Sequence, residues 1–299
     1  MRLKQTCSAS VVRPRSRPKL FVDRYKFEGI AGEGALSVVH KAKDIHTQKT
    51  VALKILRDSG NPIATGEQYL NEVQALQRVS NPSVVSLIDH GFHYDTPYLA
   101  IEFVQGTMFH EYDKKDMSRS LHTLLSLFSK VCDAVQSVHS AGLVHRDIKQ
   151  NNIFVTGVNG SREIKLFDFG FAKRTGCNLP DVYSPAGTLE FMAPEQTQPH
   201  LPADPRSDVY SMGVLLYVML SGKYPFDFTK NTRNQLPRLH RSEPPKPLIP
   251  KEFSSDIMLD EVCDIAMTAL RKKPRDRFQS AAEMKARIDA ATQALQNAA

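Results

Sequence analysis

The sequence predicts an α+β chain in two unequal parts, a small β-rich part followed by a larger, mainly helical one. Three observations carry this. Between Tyr25 and Leu56 the apolar residues fall in short β-type runs separated by glycine and polar turns. After Gly106 the spacing changes to i, i+3, i+4, i+7 and holds through Leu121, Leu124, Leu125, Phe128, Val131, Cys132, Val135 and Val138. With 299 residues, 41% hydrophobic and 24% charged, the chain can bury a sizeable core.

Residues 1–22 read as a basic tail, with Pro14 and Pro18 spacing the arginines. Its cations are Arg2, Lys4, Arg13, Arg15, Arg17 and Lys19, and residues 1–20 contain no acid. The chain carries net +7; without these six cations, 33 basic residues face 32 acidic ones, a net +1. The excess charge therefore sits in the tail, which reads as a solvated arm. Contact with nucleic acid, an anionic membrane or an acidic partner is the other reading.

Strands are expected at 25–30, 38–42 and 51–56, with Gly32-Glu33-Gly34 as the turn between the first two. A helix follows over 67–79, where Leu70, Val73, Leu76 and Val79 recur every third residue. Two more strands are expected at 84–88 and 98–103. The two parts join near residues 102–106, so that 23–102 and 103–290 form the two lobes and 291–299 a helix end. Further helices are expected at 207–220, 260–271 and 281–296. The last opens on Ser280-x-x-Glu283, a capping box.

The apolar run 209–220 is short and broken by Ser211 and Gly213, so it reads as a buried helix rather than a membrane span. No apolar segment follows the basic start, so no secretory signal is expected. Cys7, Cys132, Cys177 and Cys263 form no CxxC pair and no zinc-type spacing with histidine. A reduced, cytoplasmic setting is the expectation.

Four segments carry chemistry. Gly32-Glu33-Gly34-Ala35-Leu36-Ser37-Val38-Val39 has the glycines that let backbone N–H groups approach phosphate oxygens, although Gly-x-Gly alone is also an ordinary hairpin turn. Lys54, in Val51-Ala52-Leu53-Lys54, is a cation on a strand. Alone it reads as an exposed lysine, but Glu72 on the following helix could pair with it. His145-Arg146-Asp147-Ile148-Lys149-Gln150-Asn151-Asn152 sets polar groups between apolar flanks. Asp147 can take a hydroxyl proton, Lys149 can neutralise a phosphate, and Asn152 can ligate a metal through its amide oxygen. Asp168, in Leu166-Phe167-Asp168-Phe169-Gly170, ends an apolar strand and suits a hard Mg²⁺ ion; alone it is also an ordinary strand-end turn.

In this order and spacing, together with Met192-Ala193-Pro194-Glu195, these segments resemble the eukaryotic-type protein serine/threonine kinase family, over about residues 23–290. The resemblance implies the bilobal protein kinase fold, with ATP and Mg²⁺ (or Mn²⁺ in its place) and protein substrates. Lys54 would hold the α- and β-phosphates and pair with Glu72, while Gly32, Glu33 and Gly34 cover them. Asp147 would be the catalytic base beside Lys149, and Asn152 and Asp168 would hold the metal. Val39, Ala52 and Phe154 would sandwich the adenine, Ile101 would close the back of its pocket, and backbone groups of Glu102 and Val104 would bind its edge. Glu195 would pair with Arg277, and Asp208 would brace the catalytic loop. Leu76, Leu87, His145 and Phe169 would form a stack. Three positions depart from the family pattern: Ser37 for a third glycine, Gln150 for proline and Tyr210 for tryptophan. None removes a reacting group.

Two other readings share the fold, a nucleotide-binding scaffold without turnover and a small-molecule kinase. The intact Lys54, Asp147 and Asp168 oppose the first, and Ala193-Pro194-Glu195 opposes the second. Lys149, together with Thr188 in Gly187-Thr188-Leu189, resembles serine/threonine specificity. Arg146 would need an anion, which a phosphorylated residue between Gly170 and Ala193 could supply. By spacing, Ser184 fits best and Thr175 second. Mass mapping of autophosphorylated protein should find phosphate on one of these two; an active enzyme with neither modified would overturn the assignment.

Overall fold

A computed structural model describes residues 20–57, 60–115, 120–157, 162–178, 189–198, 200–228, 235–251 and 258–298. Most of the basic tail therefore lies outside the described residues. Strands β1 (Tyr25–Glu33), β2 (Ser37–Asp44), β3 (Thr50–Leu56), β4 (Leu87–His93) and β5 (Thr96–Glu102) form one antiparallel sheet in the order β1-β2-β3-β5-β4. Alternation along the strands splits their side chains between two clusters. Ala52, Leu56, Leu99 and Ile101 join the main core, whereas Val51, Leu53, Tyr98 and Ala100 form a separate one with Tyr25 and Ala42. The register sets Lys54 opposite Val39 and Leu99, and Ala52 opposite Ile101, so all of these share one face.

That face is covered by helix α1 (Pro62–Arg78). The helix begins five residues before the expected start. The Asn61 side chain accepts from Ala64 N at 3.2 Å and Pro62 opens the first turn, a polar cap that apolar periodicity does not register. The strand expected at 84–88 is a correction of a different kind. Leu166 N donates to Ser83 O at 2.8 Å and Val85 N donates to Leu166 O at 3.0 Å. The apolar pair Val84-Val85 is thus fastened to the larger part, and β4 itself starts only at Leu87.

In the larger part, β6 (Thr107–Met108) leads into α2 (Phe109–Lys115), and α3 (Leu121–Ser140) follows, capped by Ser120. Short strands β7 (Leu143–Val144), β8 (Ile153–Thr156), β9 (Glu163–Leu166) and β10 (Lys173–Arg174) bracket two loops. β6, β8 and β9 form one small sheet, and β7 pairs antiparallel with β10. Helix α4 (Pro205–Ser221) is buried on every side from Ser207 onward, as a helix at the centre of a core must be. Asp204 caps its start and Gly222, at φ 70°, ends it. Helices α5 (Leu236–Ser242), α6 (Leu259–Ala269) and α7 (Ala281–Ala298) complete the part, with α7 packed on α3 and α6 on α4. Ser280 Oγ accepts from Glu283 N at 3.0 Å, but the Glu283 carboxylate reaches the N–H of Gln279 rather than that of Ser280, so the capping box closes one residue early. Among the described residues no helix is long and apolar enough to cross a membrane.

Gly213 allows the α4–α6 approach. A Cβ there would lie 2.6 Å from Ala269 Cβ and 3.3 Å from Ala266 O. Gly213→Ala should therefore lower stability in urea unfolding by about 1–3 kcal/mol, with a smaller loss in an Ala269→Gly background.

Candidate active site

A cleft of about 720 Å³ lies between the sheet and the larger part. Ten residues expected at a nucleotide site line it: Gly32, Val39, Ala52, Lys54, Glu72, Ile101, Glu102, Val104, Phe154 and Asp168. Glu33 and Gly34 do not. The Glu33 carboxylate turns away to pair with Arg57, and Gly34 N closes the turn on Ser37 O at 2.9 Å. Phe167, which the sequence reading passed over, also lines the cleft and stacks on Phe154 with ring centroids 4.8 Å apart. Its place next to Asp168 at the end of an apolar strand was the available signal.

The Lys54 ammonium donates to both oxygens of Glu72, at 2.7 and 2.8 Å, and to Asp168 Oδ1 at 2.9 Å. Burial pushes this ammonium down, but Asp168 and Glu72 outweigh burial and hold it above its ordinary range. Burial likewise pushes the Glu72 carboxyl up and Lys54 pulls it back. The net shift of the Glu72 carboxyl is upward, with burial the larger influence, although both of its oxygens accept from the ammonium. Asp168 is pushed up by burial, but Lys54, together with Lys149 and His145, draws it below its ordinary range. The pair exists because β3 presents Lys54 on the face that α1 covers, and Glu72 lies on the buried stripe of α1 beside Val73 and Leu76.

Asp147, Lys149 and Asn152 form a second cluster. Lys149 Nζ donates to Asp147 Oδ2 at 2.6 Å, and Asn152 Nδ2 donates to Asp147 Oδ2 at 2.8 Å and to its backbone O at 2.9 Å. Burial dominates the Asp147 carboxyl and raises it to about 6, despite the counter-pull of Lys149.

Two non-glycine residues here hold left-handed backbone, Arg146 at φ 68° and Asp168 at φ 67°. Such strain persists only where neighbours enforce it. For Arg146 the enforcers are explicit. The buried carboxylate of Asp208 accepts from His145 N and Arg146 N at 2.8 Å each, and Gln196 Nε2 donates to Arg146 O at 3.0 Å. Asp208 also meets His139 Nε2 at 2.8 Å, a partner the sequence reading missed because it lies 69 residues away on α3. Of the expected stack, His145 and Phe169 pack with ring centroids 4.6 Å apart and Leu76 is buried.

Behind the site, Glu195 accepts from Arg277 at 2.7 and 2.8 Å, and from Ser207 Oγ at 2.7 Å. Thr188, Tyr183 and Ser184 lie outside the described residues. Thr175 is exposed, and its N–H donates to Gly142 O at 2.9 Å.

The sequence pattern of the protein kinase domain matches residues 25–289. Curated relatives include a probable serine/threonine-protein kinase of Corynebacterium efficiens, 32% identical over 90% of this chain and 41% of the relative. The probable serine/threonine-protein kinase PknB of Corynebacterium glutamicum is 32% identical over 89% and 42%. The serine/threonine-protein kinase PknB of Mycolicibacterium smegmatis is 31% identical over 90% and 43%. The chain thus spans about two fifths of the length of these relatives.

Glu195→Ala should be severe for stability, because it leaves the Arg277 guanidinium, fully buried, without its carboxylate. A loss of about 3–5 kcal/mol is expected by chemical denaturation.

Proposed function

Because the chain belongs to the protein kinase domain family, we propose that it transfers the γ-phosphoryl group of ATP to serine and threonine hydroxyls of protein substrates. The observation that carries this reading is the Lys54 ammonium, fixed between Glu72 and Asp168 inside the cleft, together with the hydrogen-bonded Asp147–Lys149–Asn152 cluster. Phosphoryl transfer asks a protein mainly for positioning and charge stabilisation, and this arrangement supplies fixed cations and a carboxylate.

The adenine would lie between Val39 and Ala52 above and Phe154 below, with Ile101 behind it. Glu102 already gives its N–H to Ser86 O at 2.9 Å, so it offers its carbonyl, and Val104 offers its backbone. Lys54 would hold the α- and β-phosphates, under the turn at Gly32, Glu33 and Gly34. Residues 23–102 and 103–290 are the two lobes in this reading.

Asn152 and Asp168 are assigned to Mg²⁺, or Mn²⁺ in its place. Their donor set fits: the Asn152 amide nitrogen is committed to Asp147, which leaves its carbonyl oxygen, and Asp168 retains a carboxylate oxygen beyond the one bound to Lys54. Bound there, the metal would neutralise charge on the phosphates. The substrate oxygen attacks the γ-phosphorus as the bond to the β,γ-bridging oxygen breaks. Asp147 accepts the hydroxyl proton, Lys149 stabilises the transferring group, and Thr188 would orient both. A cytoplasmic location belongs to the same proposal, supported by the unpaired Cys132, Cys177 and Cys263.

Two outcomes test the base. Asp147 works deprotonated, so kcat/KM should fall as pH drops through about 6. Because burial raises this carboxyl, its contribution to stability is present below the ordinary carboxylate range and is lost as pH rises through about 6. At neutral pH the charged group therefore costs stability, and Asp147→Asn should abolish labelling from ATP by about 10²–10⁴-fold while raising the melting temperature. Undiminished transfer by that variant would remove the assignment.

A further inference from the structure

Helix α1 touches the segment after Asp168 at a place the chemistry above leaves unused. Glu67, five residues before Glu72 on α1, sets Oε1 3.8 Å from the Nζ of Lys173. Lys173 is 7% exposed, and the second oxygen of Glu67 is buried with no hydrogen-bond partner among the described residues. A buried carboxylate oxygen left unsatisfied is unfavourable and requires a compensating interaction. Two neighbouring contacts cross at the same place. Asn71 Nδ2 donates to Gly170 O at 3.3 Å, and Gln68 lies so close that a Cβ on Gly170 would fall 2.7 Å from its Cγ.

Lys173 is not on a free loop. It opens β10, and pairs with Val144 of β7, the residue before His145-Arg146-Asp147. Glu67 and Glu72 therefore connect α1 to two separate parts of the site. Glu72 reaches Lys54 on the sheet, and Glu67 reaches the strand pair that carries the catalytic loop. With Lys173 buried and Glu67 26% exposed, the pair is only partly screened by solvent, and it acts on the helix whose position sets the Lys54–Glu72 geometry.

We propose that Glu67 is a positioning residue for phosphoryl transfer, holding α1 through Lys173 so that Glu72 keeps Lys54 aimed into the cleft. This rests on the kinase reading above, so the test joins an activity readout with one that does not depend on activity. Glu67→Gln should lower kcat by roughly fivefold to twentyfold with little change in KM for ATP. In the same variant, backbone amide exchange across α1 should speed up in the protein without nucleotide. The exchanged pair, Glu67→Lys with Lys173→Glu, should restore α1 protection and most of kcat, which a merely structural role would not do. Unchanged α1 exchange in Glu67→Gln, or no recovery of protection in the exchanged pair, would overturn the proposal. A wild type that transfers no phosphate would instead refute the kinase reading, and the exchange result would still decide whether Glu67 holds α1.

Discussion

The site depends on one buried anion. Asp208 sits at the start of a helix that is itself buried on every side, and its carboxylate receives two consecutive backbone N–H groups and the His139 ring. Burial pushes this carboxyl up, yet the His139 hydrogen bond and the surrounding donors hold it below the ordinary carboxylate range. It can therefore fasten the left-handed turn at Arg146 as a permanent charge. Asp147 follows directly, so the orientation of the candidate base derives from a fully buried polar contact of the core. The same core that gives the larger part its stability thus sets the geometry of the loop on its surface.

Charge is handled differently on the two sides of the cleft. Around Lys54, one cation meets two carboxylates: attraction outweighs burial for the Lys54 ammonium and the Asp168 carboxyl, whereas burial leaves the Glu72 carboxyl above its ordinary range. Around Asp147, one carboxylate meets one ammonium and an amide, and burial prevails enough to lift it to about 6. Carboxyls of the same chemistry are thus shifted in opposite directions by their surroundings, Asp168 downward beside Lys54 and Asp147 upward in its buried cluster.

What the sequence made legible follows from distance and period. Asp147, Lys149 and Asn152 lie within one short segment, so their cluster could be read locally. Lys54 and Glu72 are distant in sequence; a helix packed on the sheet could bring them together and the family resemblance implied the pair, whereas the apolar stripe alone misplaces Leu70, which is exposed. The pairs His139 with Asp208 and Glu67 with Lys173 left no such trace, because each joins elements whose relative placement is decided only by tertiary packing. The helix start at Asn61 and Pro62 was obscured because capping is a polar signal. The Val84-Val85 run was misread because apolar composition marks a strand without naming its partner.

That run has a mechanical consequence. Residues 83–85 pair with Leu166, only two residues before Asp168, while the other strands of the sheet extend away from this seam in the order β4, β5, β3, β2, β1. The seam lies where a fulcrum between the two parts would lie. A rotation of the sheet about it displaces the glycine turn at the far edge through a long arm and Asp168 through a short one. In the proposed nucleotide site, the turn at Gly32-Glu33-Gly34 would therefore move farther than Asp168 for the same rotation.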